Sequence, residues 1–353
     1  MSARKRPPGP GLLRRLEGPQ TLGRGRWFWL GFAVAVGIAC GYPLIEDSYT
    51  VGNTIYFFNW VFMALGLCLL WGYGGILSFG QTAFFGIAGY AYGILVINVG
   101  AEHGMTLFSA VLAVAAAALF SAALGYFLIW GRIGGVFVGI VTLSVTLVLE
   151  RFMSQTAGPE WHVGAARLNG FNGMSGMAPL TVPWPGDDLV LLPDIPLYYV
   201  VLALLVLTYL ALRILVNSSF GNVLVAIREN PQRATMLGYD IRRYQLAAFV
   251  IGGALAGISG VLYTSWGQYI TPSSMGLTAA SLPVVWVAVG GRSDLTATIV
   301  GTLLVIGGFQ ALTIYGSQYA LVAMGALLVL TVLAAPEGLV LAFIRLFQRR
   351  GGA

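Results

Sequence analysis

The chain has 353 residues, 58% of them hydrophobic and 9% charged, with 19 basic residues against 13 acids and a net charge of +6. Soluble domains are about 45–50% apolar and about 25% charged, so a water-soluble fold of this length would lack the charges to coat its surface. A soluble enzyme or binding module is excluded, and the chain reads as an all-α polytopic integral membrane protein.

The first 26 residues, MSARKRPPGPGLLRRLEGPQTLGRGR, are basic and rich in Pro and Gly. They are expected to form a poorly ordered cytoplasmic tail, 1–26; a signal peptide is the rival reading, but no small-residue cleavage site followed by a soluble domain comes after the first span. A membrane domain, 27–340, follows. Continuous apolar runs near the ~20 residues that cross a bilayer as a helix predict ten spans, at 27–45, 51–71, 78–98, 105–129, 134–149, 197–216, 245–264, 279–290, 295–315 and 318–334. The eighth is too short to cross alone. Cys40 and Cys68 fall inside apolar runs and read as small hydrophobes; no disulfide or metal spacing is present.

Ten spans put both ends on one side of the membrane. If that side is the cytoplasm, only Arg151 and Arg167 of the 19 basic residues lie outside, while eight of the 13 acids do. That is the positive-inside distribution. An outer loop at 150–196, dense in Gly, Pro and Asn, and an inner loop at 217–244 are the long connections, and 341–353 is a second cytoplasmic tail. Inside loops facing anionic lipid account for the basic charge without nucleic acid.

The stretch WGYGGILSFGQTAFFGIAGY, 71–90, raises a specific question, because it places six glycines and an amide between apolar runs. Gly72, Gly74 and Gly75 suit a tight turn or an unwound helix end, and Ser78 is expected as the N-cap of the next helix. Gly86, Gly89 and Gly93, and farther on Gly253 and Gly257 with Gly260, follow the spacing by which membrane helices approach closely; Gly135 and Gly139 repeat the device. Asn59, Ser78, Gln81 and Thr142 are candidates for lining a pathway. Bonding between helices would satisfy such groups equally well, and the sequence does not choose.

No span carries an acid or base in its middle; Glu150, at an outer boundary, comes nearest. That weighs against a proton-driven carrier. A phosphate-binding loop needs a lysine, and the only one is Lys5 in the basic tail, so the chain is expected to hydrolyse no ATP itself. Ser175 lacks a buried base: both histidines, His103 and His162, are in loops. The inner loop suggests a short amphipathic helix with Val223, Leu224 and Ile227, broken near Pro231, and a second piece ended by Gly238.

The chain resembles the permease subunits of bacterial ABC importers for branched-chain amino acids and related amides, including urea. The matching pieces are GYGGILSFGQTAFFGIAGY, GRIGGVFVGIVTLSVTLVL, LNGFNGMSGM, AIRENPQRATMLGYDIRRYQLAAFVIGGALAGISGVLY, VAVGGRSDLTATIVG and the closing APEGLV, in order over nearly all of the chain after the tail. The resemblance implies a ten-helix importer permease that binds no cofactor of its own. ATP and Mg would be used by two cytoplasmic ABC ATPase subunits docked on the inner loop, carried over here as Ala226, Arg228, Glu229, Asn230, Ala234 and Gly238. It also implies a second homologous permease, a periplasmic substrate-binding protein at the outer loop, and a location in the bacterial inner membrane.

Three departures stand out. Pro231 and Arg233 replace helix-favouring residues of the family, Gln81 stands where relatives often have histidine, and GGRSDLTATIVG lacks the usual proline. The substrate, a branched-chain amino acid or urea, stays open, as does whether the partner permease is a different chain or a second copy. An ion-coupled secondary transporter acting alone and a membrane-embedded hydrolase are the rival classes.

Overall fold

The structure, a computed structural model, describes residues 16–100, 105–183, 188–191, 194–335 and 337–343. Lys5 and the rest of the first 15 residues, Glu102, His103, Asp187 and most of the 341–353 tail lie outside the described residues.

Helices α1 (Arg26–Gly41), α2 (Ser48–Leu67), α3 (Gln81–Val99), α4 (Met105–Trp130) and α5 (Val136–Ser154) come first. After a long connection follow α6 (Ile195–Val216), the short α7 (Ser219–Glu229) and α8 (Pro231–Met236), α9 (Ile241–Gly267), α10 (Leu277–Gly290) and α11 (Leu295–Ala334). Among the described residues eight helical segments are long and apolar enough to cross a membrane, and Leu277–Gly290 and Gln318–Ala334 are shorter apolar helices. These are the ten predicted segments. The last two are continuous in α11 except at Gly316, whose backbone (φ −168°, ψ 62°) leaves the helix.

The scarce acids start helices. Asp47 accepts from the Thr50 N–H and hydroxyl, Asp194 from the Ile195 N–H, Asp240 from the Arg243 N–H and Asp294 from the Ala297 N–H. Each satisfies an orphan donor and favours the positive helix end. Ser78 does not cap α3, contrary to expectation. The helix begins three residues later, after Gly80, and the Ser78 hydroxyl accepts from the Gly80 N–H instead (3.1 Å).

The core is built from α2, α3, α4 and α9. Helix α9 runs antiparallel to α2: Trp266 donates to the Gly52 carbonyl (2.8 Å), Ser259 to the Asn59 carbonyl (2.6 Å), and Gly252 faces Gly66. It runs parallel to α3, with Gly253 beside Phe84, Gly260 against the Phe85 carbonyl and Thr264 beside Gly89. Gly253 and Gly257 also seat Ser121 and Ala117 of α4. That is the close packing their spacing predicted. Helix α1 buries none of its residues and is tethered to α6, where Tyr198 and Tyr199 donate to the carbonyls of Ala39 and Cys40.

The connection after α5 is not a bare loop. It holds the hairpins β1 (His162–Val163) with β2 (Ala166–Arg167) and β4 (Leu180–Pro183) with β5 (Asp188–Leu191). Between them β3 (Met174–Ser175) pairs with β6 (Tyr269–Ile270), which follows α9.

Residues 16–25 correct the expectation of a poorly ordered tail. The fully buried Arg213, in the last turn of α6, donates to the carbonyls of Leu16, Leu22 and Gly23 and to the Thr21 hydroxyl. Its guanidinium lies 4.6 Å from the Phe28 ring centre. Asn217 bonds the Gln20 N–H and Thr21, and Asp294 accepts from the Leu22 N–H (2.6 Å). Buried charges are stable only when paired and hydrogen-bonded, and here the strap's own carbonyls supply most of the partners.

Candidate functional site

The glycine-rich stretch after α2 is a break in the helical structure. Cys68–Tyr73 forms a wide π-turn, a feature often found at functional positions. A side chain on Gly72 would overlap the Arg292 carbonyl. Gly75 takes a left-handed conformation (φ +73°) against the stem of Arg228. The chain then runs without helix to Gly80. Two threonines of α5 hold it: Thr142 accepts from the Phe79 N–H (3.1 Å), and Thr146 donates to the Phe79 carbonyl (3.3 Å).

Helix α3 therefore starts deep in the bundle. Gln81 lies beside Gly252, the twelfth residue of the 27-residue α9. At 1.5 Å per residue that is about 16 Å from the start of α9, near mid-depth. Irregular backbone at such depth is tolerated only where protein or a wet cavity covers it. The Thr142 and Thr146 bonds are that cover.

Above the break, polar groups lie buried without partners. The amide atoms of Asn59 and Gln81 and the hydroxyls of Thr82 and Thr264 make no hydrogen bond, although these residues are at most 1% exposed, while Ser265 faces the Tyr92 phenol. Each such group costs about 1–3 kcal/mol, and they are spread along the facing sides of α2, α3 and α9. Between the Gln81 and Thr264 levels sits an aromatic block: Trp60 stacks on Phe85 (5.1 Å) and meets Tyr263 (5.4 Å) and Trp286 (5.6 Å). Of the four predicted pathway residues, Asn59 and Gln81 belong to this unpaired set, whereas Ser78 and Thr142 are committed to the backbone of the break. Sequence reasoning missed Thr264, Ser265 and the aromatic block. Their i, i+1 spacing on α9 carries no distinctive pattern.

The α3 glycines seat loops as well as helices. Gly86 lies against Met275, Gly89 against Thr264 and Ile270, and Gly93 against Met174 and Met177. The β3–β6 pair and its neighbours thus close over the end of α3 that lies away from α7 and α8. Gly135, by contrast, meets nothing, and Gly139 meets the Phe79 ring.

At the Arg-rich end, α7 buries Gly221, Val223, Leu224 and Ile227. Asn230 caps α8 by accepting from the Arg233 N–H, Pro231 takes the first turn, and Gly238 (φ +85°) ends the piece. Pro231 therefore starts a second helix rather than spoiling the first. Arg228 donates to the Gly72 carbonyl and pairs with Glu229 (2.6 Å). Ala234 is buried against Val223 and Ile227, Ala226 is exposed, and Met236 and Leu237 are 86% and 74% exposed. A cavity of about 490 Å³ lies between the strap, Tyr73, Arg228 and Asp294. Burial pushes the Asp294 carboxyl above its ordinary value, while the Ala297 and Leu22 N–H groups and Arg213 pull it back.

Comparison with known proteins places these features. Residues 49–332 match the family described as branched-chain amino acid transport system / permease component. The high-affinity branched-chain amino acid transport system permease protein LivM of Escherichia coli K12 is 26% identical over 321 residues, covering 86% of this chain and 72% of that protein. A probable branched-chain amino acid transport permease LivM of Methanocaldococcus jannaschii is 29% identical over 156 residues, 40% of this chain and 45% of its own. The high-affinity permease protein LivH of Escherichia coli K12 is 31% identical over 136 residues, 38% of this chain and 44% of its own. No solved structure matches the chain. With its multi-pass helices, mid-depth break and family match over most of its length, the chain belongs to the branched-chain amino acid transport permease family and is an ABC importer permease.

Proposed function

We propose that this permease carries a branched-chain amino acid inward along the track between α2, α3 and α9, driven by ATP hydrolysis in partner subunits. Two cytoplasmic ATPases dock on α7 and α8, a second homologous permease completes the pathway, and a substrate-binding protein delivers solute to residues 155–194. Both termini then face the cytoplasm of a bacterial inner membrane. The names of the relatives support the substrate.

The observation that carries the coupling is the Arg228 hook. Its guanidinium joins α7 to the Gly72 carbonyl, at the edge of the break from which α3 starts. A push on the exposed Met236 and Leu237 reaches α7 through Ala234, Val223 and Ile227, and reaches the break through Arg228. Among the described residues, α2, α3 and α9 carry no carboxylate or histidine to bind a driving proton.

Gentle detergent purification from the native membrane, with mass spectrometry of the bound subunits, tests this reading. Recovery of an ATPase and a second permease, with ATP-dependent leucine uptake after reconstitution, is expected. Recovery of this chain alone, with uptake following an ion gradient, would reject it.

A further inference from the structure

We propose that the N-terminus of α3, with Gln81 and Thr82, is a carboxylate-binding site at mid-depth of the membrane, where the carboxylate of the transported amino acid rests in transit. The inference rests on the amino-acid reading above and assigns that reading a place in the molecule.

Two independent observations meet here. The first is the helix end itself. The first N–H groups of a helix have no intrahelical partner, and the aligned peptide dipoles make that end positive. In α3 no side chain caps this end, because the residue before Gln81 is Gly80. The Ala83 and Phe84 N–H groups are taken by the Gly80 carbonyl, which leaves the Gln81 and Thr82 N–H groups as the donors facing an anion. A helix of 19 residues carries the full effect, and the low dielectric around it strengthens the attraction for an anion.

The second observation is the pair of side chains on that first turn. Both amide atoms of Gln81 and the hydroxyl of Thr82 are unpaired, and each residue is 1% exposed. The Gln81 amide nitrogen lies 3.6 Å from where a Cβ of Gly252 would stand, and Gly252 faces the Gly66 carbonyl. On the α9 side, therefore, the amide faces backbone rather than a side chain. Buried polar groups in folded proteins are satisfied in roughly 90% of cases or more, so two unpaired donors on one helix start point to a partner that comes and goes.

The chemistry selects an anion. The site offers an amide N–H₂, a hydroxyl and a positive helix end, all neutral groups able to donate. Among the described residues no acid lies in α2, α3 or α9 to receive a cation. A carboxylate accepts from several donors at once, and such charge-assisted bonds are about twice as strong as neutral ones. The aromatic block of Trp60, Phe85, Tyr263 and Trp286, one to two turns farther along, suits the apolar side chain of the same molecule.

The test uses the complete importer, reconstituted with its ATPases and binding protein in liposomes. Gln81→Glu is isosteric, and its carboxylate occupies the helix end in place of the substrate's. Leucine uptake is expected to fall at least about tenfold, the equivalent of one charge-assisted bond, with the subunits assembling in unchanged ratio. Gln81→Met keeps the volume, removes both amide atoms and is expected to raise the uptake KM several-fold.

Solid-state NMR of the wild-type importer with carboxyl-¹³C leucine and ¹⁵N-labelled Thr or Gln gives the direct reading. A carboxyl carbon within about 4 Å of the Thr82 or Gln81 nitrogen, the reach of a hydrogen bond plus one covalent bond, is expected. Undiminished uptake by Gln81→Glu, or no such proximity with leucine bound, would overturn the site while leaving the amino-acid reading intact. A wild-type importer that carries only a solute without a carboxylate would overturn both.

Discussion

At the scale of single residues, three hydroxyls on α5 that look alike in sequence do different work. Thr142 and Thr146, one turn apart on a buried face, hold Phe79 at its N–H and carbonyl. Ser144 is exposed and only bonds back to the Ile140 carbonyl. Thr142→Val should leave the part-buried Phe79 N–H without its partner and cost about 1 kcal/mol, seen as a lower unfolding temperature of the detergent-purified protein. Ser144→Ala should leave that temperature unchanged. The spacing of 142 and 146 was readable as one helix face, but their partner is backbone in an irregular segment, and backbone leaves no mark in a sequence. Gln81 is the converse case. Its polarity amid apolar neighbours was conspicuous, and the structure adds that it opens a helix rather than sitting one turn inside it.

At the scale of elements, the paired helices α7 and α8 were legible from the apolar spacing of Val223, Leu224 and Ile227, the break at Pro231 and the stop at Gly238, and the structure adds that Asn230 caps α8 and Pro231 fixes its first turn. What the sequence could not show is where the pair is anchored, since Arg228 binds a carbonyl 156 residues away. Arg228→Glu should place an acceptor against the Gly72 carbonyl and uncouple transport, with ATP hydrolysis persisting while leucine uptake falls by more than about tenfold. Met236→Glu combined with Leu237→Glu should instead reduce recovery of the ATPase in a pull-down, because those side chains are largely exposed. Normal uptake by the Arg228 variant would remove the hook from the mechanism. Gly238→Ala puts a Cβ into open space within the chain, so a loss of stability in the isolated subunit should reflect the left-handed backbone, at about 1–2 kcal/mol.

At the scale of the whole molecule, the spans were legible because a bilayer demands long apolar helices and leaves no alternative. The strap at residues 16–25 was not, because Arg213 reads as one more basic residue near a helix end, and its acceptors are mostly carbonyls. Arg213→Met should release the strap, measured as faster deuterium uptake across residues 16–25 with α2 and α9 unchanged. The proposed orientation has its own test. In a Cys40→Ser background, an impermeant thiol reagent should label Glu160→Cys in intact cells, and Gln232→Cys only after permeabilisation.

The break at residues 74–80 also bears on how the chain is made. Phe79 leaves the ribosome more than 60 residues before Thr142 and Thr146, the two side chains that satisfy its backbone. Until α5 arrives, those peptide groups have no protein partner, and hydrocarbon offers none. The start of α3 therefore has to wait in contact with water or the insertion machinery, and α2 and α3 cannot settle to their final depth as an independent hairpin. Synthesis order makes α5 the element that completes the break, so a chain truncated before residue 142 should insert with α3 displaced toward the membrane surface.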